Sequence, residues 1–152
     1  MHDLRTRIAE QYGAKVTEAD RLNPLVLAYV GDAVFELYVR TMLTDAHDAK
    51  AHALHRMSAS RVRASAQARA AKGIFAELTE RESEVYTRAR NAKPHTMPKN
   101  AQPEEYSYAT AFEAVIGYAY LSGDEERTLY LMKRALEIEA VVDAAVPRPY
   151  KG

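Results

Sequence analysis

Residues 24–39 read Pro24-Leu25-Val26-Leu27-Ala28-Tyr29-Val30-Gly31-Asp32-Ala33-Val34-Phe35-Glu36-Leu37-Tyr38-Val39. This run opens on a helix-start signal, Asn23 as cap and Pro24 at the first position. It is apolar nearly all round, which predicts a central, buried helix reaching about Leu43. Its only charged residues are Asp32 and Glu36, one helical turn apart. A second apolar run, Tyr108 to Leu121, carries Glu113 as its only charge. An acid costs several kcal/mol to bury unless something pairs with it. Two explanations stand. Either Asp32 and Glu113 pair with buried arginines or cap loops, or they face each other across packed helices and share a hard cation such as Mg²⁺ or Mn²⁺. Gly31 precedes Asp32 and Gly117 follows Glu113 by one turn, so both helices allow close backbone approach.

The rest of the chain also reads as helix. No segment alternates apolar and polar residues with period two. A short helix is predicted at about 3–12, a long one over 46–72 with Gly73 as its stop, and a polar one to Asn91 opened by the capping box Thr79–Glu82. Residues 92–103 contain three prolines and predict a loop. A helix restarts near Pro103 and ends near Leu121. Ser122-Gly123-Asp124 is a turn. A final amphipathic helix runs from Glu125 to about Ala145, and Pro147–Gly152 is a tail. The expectation is an all-α helical bundle forming one domain over residues 1–152.

The 152 residues contain no cysteine, which excludes disulfides and thiolate metal sites. No apolar run is long enough for a membrane helix, and the N-terminus lacks a signal-peptide layout, so a cytoplasmic location is expected. Net charge is zero, but residues 50–100 hold eleven basic and four acidic side chains. That basic segment is either the footprint of a polyanion or a solvated helix face. Its best phosphate-binding candidates are Arg88, Arg90, Asn91 and Lys93, followed by Lys99 and Asn100. Arg56, Arg61, Arg63 and Arg69 are weaker candidates, and Tyr86, Tyr106 and Tyr108 lie near the same loop. His52 and His55 are three residues apart without a third ligand, which favours a solvated or packing role. Neither a Gly-rich phosphate loop nor a nucleophile triad is legible.

Two motifs together resemble the ribonuclease III family: Tyr29-Val30-Gly31-Asp32-Ala33-Val34, and Glu113-Ala114-Val115-Ile116-Gly117 with its aromatic continuation. The resemblance spans roughly residues 20–145. Arg88–Lys93 and Phe112–Tyr118 narrow it to the bacterial Mini-ribonuclease III group, a catalytic domain without a double-stranded RNA-binding domain. The resemblance implies a homodimer that cleaves double-stranded RNA and trims precursor ends of 23S ribosomal RNA, leaving 5′-phosphate and 3′-hydroxyl ends. It implies Asp32 and Glu113 as the catalytic metal ligands, with Mg²⁺ as cofactor and Mn²⁺ as a substitute. A ribosomal protein or the pre-ribosome is a further implied partner. Longer family members carry two more acids, where this chain has Ala28 and Thr110. That departure leaves a two-carboxylate site. The rivals are a non-catalytic RNA-binding module for ribosome assembly on the same fold, and a helical metalloenzyme for small phosphate esters.

Overall fold

A computed structural model describes residues 4–93 and 96–145. Seven α-helices follow one another: α1 Leu4–Gln11, α2 Pro24–Ala46, α3 Ala51–Val62, α4 Ala64–Ile74, α5 Glu80–Asn91, α6 Pro103–Leu121 and α7 Glu125–Ala145. Short 3-10 turns occupy Ala19–Arg21 and Phe75–Glu77. No strand occurs among the described residues. The tail at 147–152 lies outside them.

Local chemistry sets most boundaries. The Leu25 amide donates to Asn23 Oδ1 at 2.8 Å, which caps α2. Thr79 and Glu82 form the reciprocal capping box of α5, with bonds of 2.9 and 3.2 Å. Pro103 occupies the first turn of α6. Gly123, at φ 78°, makes the left-handed turn between α6 and α7.

The core forms around α2 and α6, which share the most extensive contact in the fold. Phe35 and Phe112 meet edge to face at 5.0 Å. Leu27, Val39, Leu43, Val115 and Ile116 bury their side chains around that pair. Helices α4 and α5 flank α6, and α7 covers α4. The inward residues of α7 are Leu131, Met132 and Ala135, whereas Leu129 is exposed.

Three sequence expectations change. Residues 46–72 are not one helix: 47–50 are non-helical, and Arg63, at ψ 154°, separates α3 from α4. The break lets α3 pack on α2 while α4 turns its alanine face to α6 and α7. Tertiary packing thus overrides the helix propensity of Ala, Arg and Lys. Gly73 does not stop the helix but lies inside α4, where a Cβ would come 2.6 Å from Ile138 Cδ1. Finally, α2 is not buried all round. Val26, Tyr29, Ala33 and Leu37 form an exposed apolar stripe, and Tyr29 is 79% and Leu37 64% exposed.

Ion pairs stitch the helices together. Arg127 binds Glu82 through two bonds of 2.9 and 2.7 Å and also donates to the Glu77 carbonyl at 2.8 Å. Arg69 grips Glu139 with both ends of its fork. Arg69 therefore leaves the set of RNA candidates, because its guanidinium joins α4 to α7.

The glycines at the α2–α6 crossing are the least replaceable. A Cβ on Gly31 would lie 1.7 Å from the Glu113 carbonyl oxygen, and one on Gly117 would lie 1.9 Å from the Leu27 carbonyl oxygen. Alanine normally gains about 1 kcal/mol over glycine inside a helix. Here Gly31→Ala and Gly117→Ala should instead destabilise by on the order of 1–3 kcal/mol or more. Gly73→Ala displaces only a flexible isoleucine and should cost less. Urea unfolding of the three variants checks that order.

Candidate active site

The glycine crossing creates the site. With α2 and α6 in backbone contact, Asp32, next to Gly31, and Glu113, one turn before Gly117, come side by side within hydrogen-bonding contact. Asp32 is exposed and Glu113 is half-buried. Burial pushes the Glu113 carboxyl up to about 8, reinforced by the Asp32 charge and by the hydrogen bond between the two acids.

Other interior acids behave in the opposite way. Burial alone would raise Glu82, but the Arg127 hydrogen bonds and the Thr79 amide hold its carboxyl below the ordinary range. Glu139 is paired with Arg69. Glu36 pairs with Arg40 one turn along α2, away from the Asp32–Glu113 contact. Among the described residues, neither Asp32 nor Glu113 has a cationic partner. Two carboxylates meeting at the protein surface, one half-buried and both without a counter-charge, suit a divalent hard cation. No group of three His, Cys, Asp or Glu suited to a metal exists among the described residues. Water and substrate oxygens must therefore complete any coordination shell. Ala28 is buried and supplies nothing. Thr110 commits its proton to the Tyr106 carbonyl at 2.9 Å, so toward the site its hydroxyl can only accept.

Between the end of α5 and the start of α6 lies a pocket of about 470 Å³. Arg90, Asn91 and Lys93 line it together with Tyr106 and Thr110. Three sequence-predicted RNA residues thus share one wall with a residue one turn from Glu113. Arg88 is exposed on another face of α5. Lys99 and Asn100 are exposed in the loop turn and do not line the pocket. Tyr86 is removed from the RNA candidates: it is buried and donates its hydroxyl proton to the Ala71 carbonyl at 3.2 Å. Arg61 donates to the Met57 carbonyl of its own helix at 2.9 Å. His52, His55 and Arg56 line a separate, wider pocket of about 680 Å³ with Arg40 at the far end of α2. Sequence reasoning did not find Ser107, which donates to the Arg90 carbonyl at 2.9 Å. Nor did it find Lys72, which sits 4.6 Å from the Tyr108 ring centroid. Neither contact has a local sequence signal, because each joins separate helices.

The family model described as the ribonuclease III domain matches residues 25–124, which include both acidic helices and the pocket. The chain belongs to the ribonuclease III family. That membership makes it an endoribonuclease by class. Several Mini-ribonuclease 3 proteins are among its relatives. It is 40% identical over 117 residues to the Mini-ribonuclease 3 of a Thermoanaerobacter species, covering 77% of this chain and 82% of that protein. It is 41% identical over 119 residues to the Mini-ribonuclease 3 of Staphylococcus aureus, covering 77% of this chain and 89% of that one. The Mini-ribonuclease 3 of Enterococcus faecalis is 46% identical over 109 residues, covering 70% of this chain and 83% of that one. A crystal structure of a Fusobacterium nucleatum protein superposes with a TM-score of 0.73 at 31% identity, covering 81% of this chain and 99% of that one.

The raised Glu113 makes a testable pH signature. Its folded-state value, about 8, lies above the ordinary 4.5. Between those values the unfolded chain loses the proton that the folded chain keeps, so the contribution of Glu113 to stability falls as pH rises. Without divalent cations, wild type should lose stability relative to Glu113→Gln between pH 4.5 and 8. Chemical denaturation of both proteins across that range reads the difference, and parallel pH profiles would contradict the assignment.

Proposed function

We propose that this chain is a divalent-cation-dependent endoribonuclease of double-stranded RNA, with precursor ends of 23S ribosomal RNA as its natural substrate and the cytoplasm as its place of action. The observation that carries the reading is the Asp32–Glu113 pair, without a cationic partner among the described residues, with Thr110, one turn before Glu113, lining a pocket walled by Arg90, Asn91 and Lys93. The similarity to Mini-ribonuclease 3 proteins supports the choice of RNA as substrate. No helix among the described residues is long and apolar enough to cross a membrane.

In this reading Asp32 and Glu113 hold Mg²⁺, with Mn²⁺ able to replace it. The chemistry such an ion supplies is activation of a water molecule and compensation of charge on the phosphate and the leaving oxygen. Both carboxylates would hold the ion in their ionised form, so Glu113 would give up its proton to solvent on binding. Thr110 accepts a hydrogen bond from a water in the site. Arg90 and Lys93 engage backbone phosphates, with Asn91 as a polar contact. Arg88, Lys99 and Asn100 extend that surface. Hydrolysis leaves a 5′-phosphate and a 3′-hydroxyl. The basic surface of the catalytic domain supplies the affinity for RNA.

A second copy completes the enzyme. The stripe of Val26, Tyr29, Ala33 and Leu37 continues along α2 next to Asp32. Its pairing with the same stripe of a second chain would place two acid pairs close together, one for each strand of a duplex. A ribosomal protein or the pre-ribosome is the natural context for this dimer, since it presents the precursor ends.

Two experiments test the reading. With Mg²⁺ and an end-labelled duplex, wild type should cut both strands. Asp32→Asn and Glu113→Gln should each lose at least about 100-fold in rate while still binding the duplex. A wild type that binds duplex RNA and cuts in neither Mg²⁺ nor Mn²⁺ would replace the nuclease with a ribosome-assembly module. Cleavage confined to small phosphate esters would select the other rival. Leu37→Asp places a charge at the C-terminal end of the stripe and should convert a dimer to a monomer in sedimentation. A wild-type monomer would overturn the pairing.

A further inference from the structure

Arg90 is held in a way that sets it apart from the structural arginines. Arg69, Arg81, Arg127 and Arg134 each form ion pairs with carboxylates. Among the described residues Arg90 has no carboxylate partner. Its guanidinium carbon instead lies 4.0 Å from the ring centroid of Tyr108. The residue before that tyrosine, Ser107, donates its hydroxyl proton to the Arg90 main-chain carbonyl at 2.9 Å. Adjacent residues of α6 therefore fix both the backbone and the side chain of Arg90. Tyr108 is fixed in turn. Its ring meets the edge of the buried Tyr86 ring at 6.5 Å, and Lys72 approaches the same ring.

The choice of an aromatic partner has a chemical consequence. A carboxylate would hold the guanidinium but cancel its charge and occupy its N–H fork. A ring holds it by cation–π attraction and leaves its charge and its donors unspent. Arg90 also lines the pocket that contains Asn91, Lys93 and Thr110, and Thr110 lies one turn before Glu113. A guanidinium held against a ring, with its donors free, is prepared for an anion.

We propose that Tyr108 is a positioning residue that holds the Arg90 guanidinium for a phosphate of the RNA backbone. The inference rests on the duplex-RNA reading above and adds to it the device that orients the phosphate ligand. Lys72, attracted to the same ring and only loosely paired with Glu104 at 3.8 Å, adds a second positive charge to the cluster.

The test uses the full chain, a defined RNA duplex and Mg²⁺. Tyr108→Phe keeps the ring and should behave as wild type. Tyr108→Leu removes it and should raise KM about two- to five-fold with kcat unchanged. The dependence of log affinity on log salt should flatten as the phosphate contact is lost. Tyr108→Met fills the volume without a ring and replaces the leucine variant if that one does not fold. In an Arg90→Ala background the loss of the ring should cost nothing further. The proposal is overturned if Tyr108→Leu leaves KM and salt dependence unchanged while Arg90→Ala raises KM, or if the two substitutions multiply. A wild type that neither binds nor cuts the duplex would sink the duplex-RNA reading itself, and this inference with it.

Discussion

The backbone contact between α2 and α6 at Gly31 and Gly117 is the constraint on which the rest depends. Either glycine, given one more carbon, would collide with a carbonyl of the facing helix. Two glycines inside helices cost the chain about 1 kcal/mol each in propensity. The return is an approach too close for any other residue. That approach seats Phe35 against Phe112 in the core. It also sets Asp32 and Glu113 side by side, because each acid lies within one turn of a glycine at the crossing. The same contact therefore makes both the core and the site.

Electrostatics separates the acids that hold the fold from those that form the site. Glu82 and Glu139 each receive an arginine fork, Glu77 accepts from Arg134 Nε, and all three serve as links between elements. Breaking such a partly buried pair leaves an uncompensated charge, which is why these links are structural. Asp32 and Glu113 receive no such partner and instead meet each other, which raises Glu113. An acid kept out of its ionised form by burial and a neighbouring carboxylate costs stability as pH rises. The arginines follow the same division. Arg69, Arg127 and Arg134 tie helices together through carboxylates, whereas Arg90 lies against a ring.

Much of this was legible in the sequence where the physics is local. Asn23 and Pro24 start α2, Thr79 and Glu82 cap α5, and Gly123 turns the chain before α7, as their residue types require. Asp32, beside Gly31, and Glu113, one turn before Gly117, stood out as candidates, since a charge in an apolar run needs a partner wherever the fold puts it. What the sequence hid was long-range. The break at Arg63 exists because α3 and α4 pack on different neighbours, and nothing in Ala-rich residues 46–72 announces a change of neighbour. Gly73 looked like a helix stop, yet its reason is Ile138, some sixty residues away. Arg69 looked like a phosphate ligand until Glu139 appeared beside it. The exposed stripe on α2 was masked because a helix that is apolar on every face gives no sign of which face is left open.

The most direct test of the account is binding of Mn²⁺ to the chain without RNA, followed by electron paramagnetic resonance. Wild type should show saturable binding that both Asp32→Asn and Glu113→Gln abolish, while the two variants keep the wild-type fold by circular dichroism. Saturable binding that survives both substitutions would place the cation elsewhere and contradict the claim that the glycine crossing exists to bring these two acids together.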